Sequence, residues 1–163
     1  MKKSRIIFVI ILVSVLLGID LLLKYLVSTN LTSITVLPDF FSLKYVLNDG
    51  AAFSLFASKT YLLIIISIIC LFFILYELKN NLSDKILSIG YSLVLAGLLG
   101  NFLDRLTDGY IIDYLAFKIL NLNFPIFNFA DILIVVGIVI VLIKEILNER
   151  GKRYEVRSKK WRN

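Results

Sequence analysis

Two aspartates in otherwise apolar stretches of the chain are the residues best suited to acid–base chemistry. Asp113 lies within Ile111–Leu115 and Asp131 within Ala130–Leu133, so both carboxyl groups are expected in surroundings of low polarity. Two carboxylates held close together in such surroundings cannot both ionise easily, and they share a proton. Such a pair supplies a base that activates water and an acid that protonates a leaving amine. The alternative for Asp131 is a structural role at a helix start, where a negative charge complements the helix dipole.

The residue types that are missing exclude several other chemistries. The sequence has no histidine, which removes Ser-His and Cys-His nucleophile systems and histidine-based metal sites. Cys70 is the only cysteine, so the fold cannot depend on an internal disulfide. Acid–base chemistry near neutral pH therefore falls to carboxylates, Lys, Tyr or the single thiol.

The elements that must position these residues are membrane-spanning helices. The composition is 59% hydrophobic and 18% charged, with a mean hydropathy of +0.88, which is far more apolar than a soluble domain of this length. Several apolar runs are long enough, or almost long enough, for a helix to cross a hydrocarbon core of about 30 Å. The first run follows a basic start, as in a signal peptide, but its length and the lack of a cleavage motif favour an uncleaved span. The predicted spans are residues 6–27, 60–76, 86–103 and 132–147.

Positive charges concentrate at the two ends of the chain. Lys2, Lys3 and Arg5 precede the first span, and residues 150–163 after the last span are rich in Lys and Arg. By the positive-inside rule both termini are cytoplasmic, which requires an even number of spans and agrees with four. The net charge of +6 is thus attributed to membrane topology and not to nucleic-acid binding. We predict one membrane domain over 1–149, followed by a basic cytoplasmic tail that attracts anionic lipid headgroups.

Two long segments, 28–59 and 104–130, then lie on the extracytoplasmic side. The first contains Phe41–Leu47, an aromatic and β-branched run, followed by the turn signal Asn48–Gly50. These features predict a small extracytoplasmic β platform. The expected fold class is an all-α membrane protein, a four-transmembrane-helix bundle that carries this platform.

Polar side chains from separate segments fall at one level of the membrane under this topology, close to its outer face. They are Asp20, Asn48, Asn101, Arg105, Asp113, Asn128 and Asp131. Ionisable groups within or at the edge of membrane spans are costly and usually mark a function. Independent caps and anchors do not readily explain their convergence at one depth, so a shared site is the simpler interpretation.

Each polar group also has a structural interpretation by itself. Asp20 and Lys24 fit an intrahelical ion pair at i, i+4 spacing. Asp104 and Arg105 fit an ion pair at an interfacial helix end, and Asn128 fits a helix N-cap. For the whole protein, one alternative is a small transporter or proton-coupled channel, which predicts acids spread through the membrane depth and inverted repeats. Another is a noncatalytic adaptor, in which the polar groups only join helices.

Four short blocks occur in order around these residues. They are Asn48-Asp49-Gly50-Ala51-Ala52-Phe53, Gly100-Asn101-Phe102-Leu103-Asp104-Arg105, Ile111-Ile112-Asp113-Tyr114 and Pro125-Ile126-Phe127-Asn128-Phe129-Ala130-Asp131. With these blocks and four spans, the chain resembles the lipoprotein signal peptidases (signal peptidase II) over essentially its whole length. It departs from the family's Asp-Gln-x-Ser/Thr-Lys pattern in the first span, where leucines occupy positions 21 and 23.

The resemblance implies an activity and roles for the polar residues. It implies an aspartyl endopeptidase of the bacterial cytoplasmic membrane that cuts prolipoproteins just before a diacylglyceryl-modified cysteine, without metal or cofactor. Asp113 and Asp131 would be the catalytic dyad, near the extracytoplasmic face. Nothing in the sequence demands a partner subunit, so we expect a monomer in contact with membrane lipid. The residues expected to bind substrate or support the dyad are Asp20, Lys24, Asn48, Gly50, Asn101, Asp104, Arg105 and Asn128.

Overall fold

Four helices and a small antiparallel sheet make up the part of the protein that the structure describes. The computed structural model describes residues 2–30, 32–50, 59–120 and 122–160. Part of the first sequence block, Ala51-Ala52-Phe53, and the last residues of the basic tail, 161–163, lie outside these ranges. In chain order the elements are α1 Lys2–Asn30, β1 Ser33–Leu37, β2 Phe41–Asn48, α2 Thr60–Asn80, α3 Lys85–Thr107, β3 Ile111–Ile119, β4 Leu122–Asn123 and α4 Phe129–Lys160.

Three helices of the described chain are long and apolar enough to cross a membrane. They are α1 (from Lys3), α2 and α3, whose most apolar stretches have mean hydropathies of 3.1, 2.6 and 1.8. The first three predicted spans are therefore confirmed as apolar helices of spanning length, each longer than predicted. The helix α4 contains the fourth predicted span, 132–147, but it also carries Asp131, Lys144 and Glu145, and its crossing stays a prediction. It continues to Lys160, so the predicted tail begins as helix.

The helix α3 lies at the centre of the bundle and packs against the other three. Of its most apolar stretch 61% is buried, against 17% for α1 and 11% for α2, whose apolar side chains are left facing outward as in a lipid-exposed helix. Glycines let α3 and α4 approach closely: a Cβ on Gly137 would lie 2.6 Å from the carbonyl oxygen of Gly90. Gly97 likewise faces the carbonyl oxygen of Ala130. Small residues at helix contacts are typical of membrane bundles, and here they fix α4 against α3.

The sheet has the strand order β1-β2-β3-β4, with all neighbours antiparallel. The predicted strand 41–47 is confirmed as β2, and the predicted β platform is confirmed as a small sheet. Asn48 pairs with Ile111 at the end of β2, and Val46 pairs with Asp113. Because alternate residues of a strand share a face, Asn48 becomes a diagonal neighbour of Asp113. The pairing thus brings two residues 65 positions apart to one site.

The two ends of the bundle are built differently. At one end, defined here as the far end, an apolar cluster joins α1, α2 and α3 through Val9, Leu78, Leu87, Tyr91 and Leu95. Charged contacts there lie at the periphery, whereas the buried hydroxyls of Ser88 and Ser92 donate to backbone carbonyl oxygens four residues earlier. The Arg5 guanidinium donates to the carbonyl oxygens of Leu82 and Ser83, and Lys144 pairs with Asp84 at 3.2 Å. At the other end, which we call the dyad end, the buried side chains are mostly polar.

Candidate active site

Asp113 lies in β3 and is 3% exposed. Its Oδ2 accepts a hydrogen bond from Asn48 Nδ2 at 2.9 Å, and its Oδ1 accepts one from Asn128 Nδ2 at 2.9 Å. Burial raises the pKa of Asp113 to about 6, and the negative charge of Asp131 acts in the same direction, while the two amide hydrogen bonds oppose the shift. Asp113 is therefore suited to hold a proton up to nearly neutral pH.

Asp131 occupies the first turn of α4, and Asn128 precedes that helix. Asp131 Oδ2 accepts a hydrogen bond from the Asn128 backbone N–H at 3.1 Å, and Asn128 Oδ1 accepts one from the Asp131 N–H at 2.9 Å. This reciprocal pair is a capping box, so the predicted cap is confirmed. The amide of the same Asn128 also donates to Asp113, and one side chain thus contacts both aspartates. The residues that cap α4 are therefore also part of the shared polar site, and the two interpretations do not exclude each other.

Three different parts of the chain satisfy the backbone N–H groups in the first turn of α4. The Phe129 N–H donates to the Tyr114 hydroxyl at 3.1 Å, the Ala130 N–H donates to Asp20 Oδ1 at 3.0 Å, and the Asp131 N–H donates to Asn128. These are groups that a helix cannot satisfy internally. The start of α4 is consequently held by α1, by β3 and by its own cap.

Tyr114 was not predicted from the sequence as a site residue. It is 4% exposed, and burial raises its pKa to about 12, so the phenol stays protonated. The available signal was an aromatic side chain with a polar tip inside an apolar strand, beside Asp113. Such a side chain needs a hydrogen-bond partner when it is buried.

A buried lysine joins the aspartates of two helices. Lys24 Nζ lies 2.7 Å from Asp20 Oδ2, 2.8 Å from Asp104 Oδ2 and 3.1 Å from Asn101 Oδ1. The predicted pair of Asp20 and Lys24 is confirmed. The predicted pair of Asp104 and Arg105 is wrong for these described residues, because Asp104 faces the lysine of α1 instead.

Asn101 links this lysine to the dyad end of α4. Its Oδ1 accepts from Lys24 and from Asn128 Nδ2 at 3.1 Å, and its Nδ2 donates to Asp131 Oδ1 at 2.8 Å. None of these contacts involves the leucines at which the first span departs from the family pattern. Leu21 is exposed.

Arg105 holds the chain at the end of β2. Its Nη2 donates to the Gly50 carbonyl oxygen at 2.8 Å, and the Gly50 N–H donates to Asn48 Oδ1 at 3.0 Å. Every site residue predicted from the sequence therefore belongs to one connected network of hydrogen bonds and ion pairs. Within the described ranges, no group of three or more His, Cys, Asp or Glu side chains is arranged to hold a metal ion.

An open groove of about 880 Å³ runs along the two aspartates. Its polar side chains are Asn48, Asp49, Asn101, Arg105, Asp113, Asn123 and Asp131. Its apolar lining is Val46, Leu47, Ile111, Phe124, Pro125, Ile126, Phe127, Ile134 and Val135. The groove therefore presents acid–base groups beside a surface that suits an apolar chain.

Known proteins are similar to this chain in sequence and in fold. A protein of Enterococcus faecalis named "Lipoprotein signal peptidase" is 39% identical over 155 residues, which cover 92% of this chain and 95% of the relative. A protein of Desulfitobacterium hafniense with the same name is 40% identical over 140 residues, covering 83% and 91%. A bacterial membrane enzyme solved by the in meso method at 2.3 Å resolution superimposes with a TM-score of 0.82 at 30% identity, covering 89% of this chain and 91% of that one.

The family profile described as "Signal peptidase (SPase) II" matches residues 11–147, which include α2, α3, the sheet and most of α1 and α4. The solved relative supports a membrane location, in agreement with the apolar helices. The chain therefore belongs to the signal peptidase II family of aspartic-type membrane proteases.

Proposed function

We propose that this protein removes the signal peptides of bacterial prolipoproteins, cutting just before a diacylglyceryl-modified cysteine, with Asp113 and Asp131 as the catalytic pair. The observation that carries the proposal is the bridge by Asn128, which contacts both carboxyl groups and so keeps them at one site. Membership of the signal peptidase II family supports the reaction, and the names of the relatives support the substrate class.

The pair divides the proton transfers between its two members. We assign the starting proton of the pair to Asp113, whose pKa burial raises to about 6, and the role of base to Asp131. A water oxygen attacks the scissile carbonyl carbon, Asp131 takes a proton from that water, and Asp113 gives its proton to the carbonyl oxygen. The C–N bond of the resulting gem-diol then breaks. Asp131 protonates the leaving amine while a diol hydroxyl returns a proton to Asp113, so the pair ends as it began.

The remaining residues of the network support this pair or the substrate. Asn48 and Asn128 fix the two oxygens of Asp113. Arg105 holds Gly50 at the groove and lies close enough to both aspartates to stabilise negative charge that develops in the reaction. Asp20, Lys24 and Asp104 form a buried cluster of charges that contacts Asn101 through Lys24.

The proposed setting is a four-span membrane domain over residues 1–149, with α4 as the fourth span and residues 150–163 as a cytoplasmic tail. Both termini are cytoplasmic, and the dyad and the sheet lie at the extracytoplasmic face of the bacterial cytoplasmic membrane. The charge distribution of the sequence supports this orientation. A monomer suffices, since one chain supplies the whole network. A lipid-anchored substrate meets the groove at the level of the bilayer, where Ile134 and Val135 line it.

The test is cleavage of a diacylglyceryl-modified prolipoprotein by purified protein in lipid or detergent. We expect Asp113→Asn and Asp131→Asn each to reduce kcat by at least about 10³-fold, since each removes a proton-transfer group needed in the transition state. Asp84→Asn is the matched control, because Asp84 caps α3 at the far end and Asn also caps well. Absence of cleavage by the folded native chain, or activity retained in either dyad variant, would contradict the proposal.

A further inference from the structure

Lys24 is the charged group most completely enclosed by polar partners at the dyad end. It is 2% exposed, and its ammonium contacts two carboxylates and one amide oxygen, on Asp20, Asp104 and Asn101. Both carboxylates also accept backbone hydrogen bonds, Asp20 from Ala130 at 3.0 Å and Asp104 from the N–H of Ile112 at 3.4 Å. Lys24 therefore joins α1 to residues of α3. One of these residues, Asn101, also contacts Asp131.

The hydrogen-bond chemistry of Lys24 determines which way the Asn101 amide points. A lysine ammonium has three donors and no acceptor, so only the oxygen of the amide can face it. With Oδ1 toward Lys24, the Nδ2 group faces Asp131 and donates to its Oδ1 at 2.8 Å. In the flipped amide, Nδ2 would meet the ammonium, and Oδ1 would face the Asp131 carboxylate. Both contacts would be repulsive.

The Asn128 amide is fixed in the same sense by a backbone group. Its Oδ1 accepts the Asp131 N–H, which leaves its Nδ2 to donate to Asp113 and to Asn101 Oδ1. Asn101 Oδ1 thus receives two donors, of which Lys24 carries the charge. Removal of Lys24 leaves the Asn101 amide with a single neutral donor on its oxygen and weakens its preference for the orientation that serves Asp131.

We propose that Lys24 is a positioning residue for the reaction: through the Asn101 amide it holds Asp131 in the position and state in which it accepts a proton from water. This rests on the proposed function. The competing explanation is that Lys24 only neutralises Asp20 and Asp104. Other charged or titratable groups near the dyad are Arg105, Tyr114 and Asp49. The side-chain hydrogen bonds described for the Asn101 amide join it to Lys24, Asn128 and Asp131.

A double-mutant cycle between Lys24 and Asn101 tests the proposal on the full chain. Lys24→Met keeps most of the length of the side chain and removes its donors, and Asn101→Leu removes the amide. We expect each to lower kcat on a lipidated prolipoprotein by about 10²-fold, as a misplaced catalytic group does, with KM changed less than about threefold. The double variant should resemble Asn101→Leu alone, because Lys24 acts through the amide. Losses that multiply to about 10⁴-fold would overturn the proposal.

A charge-balanced variant separates orientation from neutralisation, and it also serves if Lys24→Met fails to fold. Lys24→Met with Asp104→Asn leaves Asp20 without its cation but removes one of the two carboxylates, so the net charge of the site is unchanged. We expect kcat to stay about 10²-fold low, while the pH dependence of kcat/KM, displaced to higher pH in Lys24→Met, returns toward that of the native chain. Recovery of native kcat would assign Lys24 to neutralisation alone.

Lys144→Met is the matched control, since this lysine also pairs with an aspartate but at the far end of the bundle. It should leave kcat and the pH profile unchanged. The outcomes are distinct from failure of the proposed function: a native chain that cleaves while the cycle is additive refutes only the role of Lys24. A folded native chain that does not cleave refutes the peptidase proposal itself.

Discussion

The contacts between helices are filled by apolar side chains at the far end of the bundle and mostly by polar ones at the dyad end. At the far end, apolar side chains such as Leu78 and Leu87 fill the centre, and charged groups stay at the rim. At the dyad end the fully buried positions include Asp20 and Asn128, and Lys24 is almost as buried. The same four helices thus carry a conventional core at one end and a charged network at the other.

The difference indicates that the burial of charged groups at the dyad end serves function at the expense of stability. A buried charge is stabilising only if its partners and hydrogen bonds are in place, and replacement of such groups by well-packed apolar ones is often neutral or favourable. The far end shows that this chain can build an apolar helix contact. Polar residues at the dyad end therefore reflect chemistry and precise placement more than stability. Variants at the two ends should accordingly fail in different ways.

The largest effect is expected from Asn128→Leu at the dyad end. This change removes the only described side chain that hydrogen-bonds to both Asp113 and Asp131, and it removes the helix cap. We expect kcat to fall by about 10³-fold, because both aspartates lose a fixed donor or acceptor. Asn81→Leu, at the far end, removes a hydrogen bond to Glu77 and should leave kcat within about twofold. Similar losses in both variants would break the comparison.

The opposite pattern is expected from Leu87→Ala at the far end. Leu87 is 2% exposed in the apolar cluster, and its truncation leaves a cavity that costs about 2 kcal/mol in the free energy of unfolding. The measurement is the apparent Tm in detergent, together with kcat per folded molecule. Tm should fall while kcat stays unchanged. A fall in kcat at temperatures where the variant is folded would show that the two ends are coupled.

The pH dependence of activity should belong to the dyad end alone. Asp113 carries its proton below its pKa of about 6, and above that pH its carboxyl group ionises and the acid of the proposed mechanism is lost. We expect kcat/KM to decline as the pH rises through about 6, approaching tenfold per pH unit. Leu87→Ala should show the same midpoint. A profile that is flat between about pH 5 and 8 would contradict the assignment of the proton to Asp113.

The smallest effect is expected for the polar contacts at the rim of the far end. Asp84 caps α3 through Ile86 and Leu87 and pairs with Lys144 at partly exposed positions. Asp84→Ala should lower the free energy of unfolding by about 1 kcal/mol, mostly through the lost cap, because exposed ion pairs contribute little. Apparent Tm and kcat are measured as for Leu87→Ala, and kcat should not change. A loss above about 3 kcal/mol would show that this exposed ion pair contributes as much to stability as a buried one.

The sequence predicted the features that depend on neighbouring residues. Hydropathy located α1, α2 and α3, the aromatic run located β2, and i, i+4 spacing predicted the contact between Asp20 and Lys24. Each is a local signal, because a helix or strand displays its own periodicity. The depth argument also collected seven polar residues of the network, whereas Lys24, Asp104 and Gly50 were predicted from ion-pair spacing or from the family resemblance.

Contacts between distant segments were not predictable in this way. Asp104 was paired with its neighbour Arg105 in the sequence, but it contacts Lys24 of α1, because the rotation of α3 about its axis turns it toward that helix. The strand β3 was missed, since both of its faces are largely covered and it lacks the alternating pattern of a half-exposed strand. Tyr114 was missed because its hydrogen-bond partner, the start of α4, comes close to it only in the assembled fold.

The i, i+4 contact between Asp20 and Lys24 also bears on how the chain enters the bilayer. The helix α1 is synthesised before α3 and α4, so during insertion the later partners Asp104 and Ala130 are still absent. The two charges nevertheless meet within one helix at 2.7 Å, and α1 can partition into lipid as a segment with a locally neutral pair. When α3 and α4 follow, the same pair offers contacts to Asp104 and to the Ala130 N–H. The two residues proposed to support the dyad would thus also serve the insertion of α1.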